Sequence, residues 1–92
     1  MKSSVGEAAP YTIRITRQAK KDIKTLTPKL KQKLHAILVN VLAHDPYEGK
    51  KLIGDLAGSY SYRLTYQDRI VYSVDAATKT VYIERARTHY GD

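Results

Sequence analysis

The stretch SYSYRLTYQDRIVYSVD, residues Ser59 to Asp75, alternates large apolar and polar side chains on both sides of a polar break. Alternation with a period of two marks half-buried strands, and the break at Tyr66-Gln67-Asp68 marks a hairpin between them. A three-residue loop there pairs Thr65 with Arg69, Leu64 with Ile70, Arg63 with Val71 and Tyr62 with Tyr72. Tyr62, Leu64, Ile70, Tyr72 and Val74 then share one face, and Arg63 and Arg69 share the other. A two-residue loop would turn one arginine into the core, where an unpaired charge costs several kcal/mol. The first register is therefore expected, giving a sheet with one apolar face and one face that carries two arginines.

Working outward, Ala76-Ala77-Thr78-Lys79 reads as a polar turn and TVYIERAR (80–87) as a further strand. Upstream, KKLIGDL (50–56) reads as a short strand, with Ala57-Gly58 turning the chain into the hairpin. Near the start, Tyr11, Ile13 and Ile15 alternate with Thr12 and Arg14, a half-buried strand. Thr16 is placed to cap a helix in which Ala19, Ile23 and Leu26 recur at helical spacing, with Lys20, Lys21 and Lys24 on the other side. Thr27 caps a second helix with Pro28 at its first position. Leu30, Leu34, Ile37, Leu38, Val41 and Leu42 form its apolar stripe until Asp45-Pro46 stops it. The expected class is α+β in the order β-α-α-β-β-β-β, with a two-helix hairpin packed on a mainly antiparallel sheet. Residues 1–10 read as a flexible segment and 11–92 as a single domain.

Ninety-two residues leave room for one core, and a hydrophobic fraction of 42% suits a folded chain. The chain has no cysteine, which excludes disulfides, thiolate metal sites and a cysteine nucleophile. MKSSVGEAAP, the first ten residues, has no apolar run fit for a signal sequence, and no window reaches the ~20 apolar residues of a membrane span. A cytoplasmic protein without a membrane partner is expected. Sixteen Lys and Arg against nine Asp and Glu leave a formal charge of +7, which points to a polyanionic partner, with nucleic acid first.

RARTHYGD (85–92) closes the chain with two guanidiniums, an imidazole and a phenol. Those groups suit RNA cleavage by the RNA's own 2′-hydroxyl, which needs a base, an acid and cations on the crowded phosphate, and no metal. Arg63, Arg69 and Arg87 suit bidentate contact with phosphate oxygens, and Arg85 adds a further cation. His89 in this basic stretch is biased toward its neutral form. Tyr90 can stack on a base, donate a hydrogen bond or act as acid. Plainer readings stand beside these: Arg69 next to Asp68 fits a local turn pair, Lys50-Lys51 fits a solvated surface, and His35 and His44 fit the outside of the second helix.

PYEGKKLIGDLAGSYSYRLTYQDRIVYSVD (46–75) followed by VYIERARTHYGD (81–92) resembles the RelE/ParE superfamily of bacterial type II toxins. Its Pro-Tyr-Glu-Gly element and closing His-Tyr are most similar to the YoeB/Txe branch. The resemblance runs from Tyr11 onward and implies a RelE-like fold. It also implies a ribosome-dependent endoribonuclease, an mRNA interferase that cuts mRNA in the A site and inhibits translation without a cofactor. Its implied partners are the ribosome and a cognate acidic antitoxin, which neutralises it in a toxin–antitoxin hetero-oligomer. By the resemblance, Arg63 and Arg69 hold the scissile phosphate, and His89 and Tyr90 serve proton transfer and mRNA positioning. Lys50 and Lys51 fall near the lysine-bearing segment of RelE-like toxins. The YoeB-type glutamate base sits in a proline-containing segment that is shortened here to GKKLIGDL. The base therefore falls to His89, Glu48 or a lysine, with His89 first and Glu48 second. Gly91-Asp92 extends the tail beyond the YoeB pattern. The alternative is a ParE-like inhibitor that binds DNA gyrase and has no nuclease activity. A third reading is a non-catalytic RNA-binding module.

Overall fold

The computed structural model describes residues 10–54 and 58–87. A strand β1 (Thr12–Ile15) leads into helices α1 (Arg17–Lys24) and α2 (Pro28–Ile37), the second running on through a π-helical segment, Leu38–Leu42. Strands β2 (Lys50–Lys51), β3 (Ser59–Arg63), β4 (Arg69–Asp75) and β5 (Thr80–Arg87) follow, and the expected element order holds. Both helices start where the sequence places them. The Thr16 hydroxyl accepts the Ala19 N–H at 3.2 Å, and the Thr27 hydroxyl accepts the Leu30 N–H at 3.2 Å.

The five strands lie in the order β1-β5-β4-β3-β2, so β2 to β5 form an antiparallel meander that returns to meet β1. β1 pairs parallel with β5, from Thr12 opposite Thr80 to Ile15 opposite Ile83. The helices cover one face. Ala19, Leu26, Leu34, Leu38 and Leu42 pack there against Ile70, Tyr72, Val81, Ile83 and Ala86. No described helix lies on the other face.

The hairpin register differs from expectation. Arg63 stands opposite Arg69, Tyr62 opposite Ile70 and Tyr60 opposite Tyr72, so the connection is Leu64–Asp68 and not three residues. The reason is a side-chain closure. Thr65 donates its hydroxyl to the Asp68 carboxylate at 2.9 Å and accepts the N–H groups of Gln67 and Asp68, while Leu64 is buried beneath. The slip from the expected pairing is two residues, an even number, so every side chain keeps its face. The tyrosine pairing changes accordingly: the rings of Tyr60 and Tyr72 stack at 5.6 Å.

Two further differences are local. β2 ends at Lys51 and not at the end of KKLIGDL, because Gly54 takes a left-handed turn (φ 75°) and only Leu52 N–H continues the ladder, to the Ser59 carbonyl. Glu84 is an extra residue between Arg85, opposite Val71, and Ile83, opposite Tyr72, which makes a β-bulge in β5.

Candidate nucleic-acid interface

Gly49 anchors the segment that leads into β2. Its N–H donates to the Tyr72 hydroxyl at 2.9 Å, and a Cβ at this position would fall 2.8 Å from the Ser61 carbonyl oxygen and against the Tyr72 ring. Only a residue without a side chain lets the backbone come this close. Burial pushes the Tyr72 phenol up to about 12, the Gly49 N–H opposing the shift, so it stays neutral while holding Gly49. The contact draws Glu48 and Lys50 alongside β3. Between them, the end of β3 and α2 opens a groove of about 590 Å³ whose walls carry Lys33, Glu48, Lys50, Arg63 and Tyr66. Tyr66, on the hairpin tip, is 88% exposed.

Beside the groove, the register sets three arginine positions in a row. Arg63 on β3 faces Arg69 on β4, and Arg69 faces Arg87 on β5. Directly opposed side chains in a sheet sit about 5 Å apart at Cβ, and like charges there are destabilising. The opposed Arg63 and Arg69 cost stability unless an anion lies across them. Asp68, buried against Thr65, makes no ion pair with Arg69 among the described residues, so the local turn pair is not formed.

At the other edge, β1 stops at Ile15, and β5 runs on paired with β4 but without a β1 partner. Asp22 on α1 takes over: its carboxylate accepts the Ala86 N–H at 3.1 Å and pairs with the Arg85 guanidinium at 2.9 Å. Burial pushes the Asp22 carboxyl up, but the Arg85 guanidinium and the Ala86 N–H outweigh it and hold it below the usual carboxylate range. The arm that carries Arg87 is thus fixed to the first helix.

The matched family model, described as a ParE-like toxin of type II bacterial toxin–antitoxin systems, covers residues 13–90. The chain belongs to this toxin family. The toxin RelG of Mycobacterium tuberculosis is 36% identical over 78 residues, 83% of this chain and 87% of its own length. Among solved structures, the toxin–antitoxin complex RelBE2 of Mycobacterium tuberculosis contains a chain 32% identical, with a TM-score of 0.80 over 86% of this toxin and 98% of that chain. The YoeB–YefM complex of Staphylococcus aureus contains one 29% identical, with a TM-score of 0.71 over 89% of this toxin and all of that chain.

Of the toxin's sequence-predicted site residues, Glu48, Lys50 and Arg63 meet in the groove, with Arg69 and Arg87 continuing the row from it. Lys51 is exposed on β2 opposite Tyr60, the alternate position to Lys50. Arg85 is committed to Asp22. His89 and Tyr90 lie outside the described residues. The sequence reading missed Lys33, Tyr66, Asp22 and Glu84. Tyr66 carried a signal, being an aromatic residue in a turn. Asp22 carried none, because its partners lie 63 and 64 residues away.

Proposed function

We propose that this toxin is a ribosome-dependent endoribonuclease that cleaves mRNA in the A site and so stops translation. The observation that carries the reading is the arginine row, Arg63–Arg69–Arg87, running into a groove with Glu48 and Lys50. Guanidiniums in a row are a cradle for a phosphate whose charge grows as the 2′-oxygen attacks. The 2′-oxygen bonds to phosphorus, the bond to the 5′-oxygen breaks, and the products are a 2′,3′-cyclic phosphate and a 5′-hydroxyl. A base takes the 2′ proton and an acid gives one to the departing oxygen. His89 fills the first role with Glu48 as the second candidate, and Tyr90 supports the transfer; Lys50, Lys51 and Arg87 remain as cations for the RNA, while Arg85, expected among them, is taken up by Asp22. Tyr66 on the groove's rim offers a stacking surface for a base. The partner that silences the toxin is an acidic antitoxin, which covers these cations in a hetero-oligomer.

Brief expression followed by mapping of 5′ ends, with and without active ribosomes, tests the reading. Discrete 5′-hydroxyl ends inside translated codons are expected, and intact messages overturn it. The ParE-like description of the family model favours a second reading, inhibition of DNA gyrase by protein contact. His89→Ala separates the two: the nuclease loses toxicity by orders of magnitude, and the gyrase binder keeps it.

A further inference from the structure

Glu84 stands at the bulge of β5, turned out of the regular alternation. Its carboxylate reaches across the central strand: one oxygen accepts the Ser59 hydroxyl of β3 at 3.1 Å, the other the Ser73 hydroxyl of β4 at 3.0 Å. Ser59 and Ser73 are direct partners, so three strands hold the group in one orientation. Thr16 adds a contact to the Glu84 carbonyl at 3.4 Å. Among the described residues no Lys or Arg comes within ion-pair distance of it. A neutral amide would bridge the same two serines. A fixed negative charge works against polyanion binding on the face that carries the arginine row, unless it is there to accept donors.

Each carboxylate oxygen keeps lone-pair capacity after its serine bond, and an ionised carboxylate only accepts. Guanine is the base that offers two adjacent donors, N1–H and the 2-amino group. Adenine and cytosine set an acceptor beside their amino group, and uracil flanks its one N–H with carbonyls. Ser73 lies four residues from Arg69 along β4, about 13 Å at roughly 3.3 Å per residue, near enough for one RNA strand to reach both. We infer that Glu84 reads a guanine in the single-stranded RNA held by the arginine row, an inference that rests on the nuclease reading of the same face.

The test is binding, which needs neither cleavage nor ribosome. Fluorescence titrations use oligouridylates of about eight nucleotides with one central guanosine or one inosine, which lacks the 2-amino donor. The wild-type toxin should bind the guanosine form at least about fivefold tighter, the lower end of what a bidentate base contact contributes. In Glu84→Gln, with folding checked by urea titration, the ratio should fall to one. In Ser59→Ala/Ser73→Ala, which keeps the carboxylate and removes its supports, the ratio should fall toward one. Equal binding by wild type, or a ratio retained in Glu84→Gln, overturns the inference. Failure of the nuclease reading appears separately, in the 5′-end map.

Discussion

At the residue scale, Gly49 and Arg69 make opposite predictions about stability. Gly49→Ala drives a methyl group into the Tyr72 ring and the Ser61 carbonyl, neither of which can swing away. Overpacking of this kind costs about 1–3 kcal/mol, and here it also disturbs the bond from Gly49 N–H to the Tyr72 hydroxyl. Urea unfolding should show the loss, and the cost should shrink in a Tyr72→Phe background, where the nearest clashing atom is gone. An unchanged cost in that background would place the strain elsewhere. Arg69→Ala removes the cation directly opposite Arg63, so the fold should be kept or slightly gain. Cleavage should fall more than a hundredfold, since a lost transition-state contact of this kind is worth about 3 kcal/mol. A folded variant that still cuts at near the wild-type rate would move the chemistry away from the row.

At the scale of elements, the sequence was most legible where the deciding contacts are local. Thr16 and Thr27 cap their helices through bonds that span three residues, and the stripe from Leu30 to Leu42 needs only its own spacing. The face assignment of the hairpin survived because parity survived, although its register slipped by two when Thr65 and Asp68 closed the loop with their side chains. Of the candidate site, the arginines and Glu48 were legible by residue type. What joined them was not: the Gly49–Tyr72 contact and the clamp of Asp22 on β5 link residues far apart in the chain. The clamp makes its own prediction. A carboxyl held below its ordinary value stabilises the fold above a pH of about 4, and that contribution fades as pH falls through the lowered value. Asp22→Ala should therefore cost about 2 kcal/mol at neutral pH, the range of a hydrogen bond to a charged group. The difference from wild type should narrow at acid pH. Urea midpoints measured on both sides of the transition check it, and a constant difference would mean that the charge on Asp22 contributes nothing.

At the scale of the whole molecule, two separate surfaces carry clusters of basic residues. The helix-free face carries the arginine row, while Lys20, Lys21 and Lys24 lie exposed along α1, away from the groove. A short RNA can occupy only the first; a ribosome is large enough to meet both. Each phosphate neutralised releases counterions, so the logarithm of affinity for a single strand falls against the logarithm of salt with a slope of about −0.7 per contact. Binding of a short oligoribonucleotide should therefore lose about 0.7 from its slope in Arg69→Ala. It should be unaffected when Lys20, Lys21 and Lys24 are all changed to glutamine. Affinity for ribosomes should fall in the triple lysine variant, because the ribosomal RNA phosphates then lose the cations on α1 that neutralise them. If the lysine variant loses slope on the short RNA, the oligonucleotide does not select the arginine face. If it keeps full ribosome affinity, the charge on α1 answers to another polyanion, and the acidic antitoxin is the partner whose binding should then be measured against salt.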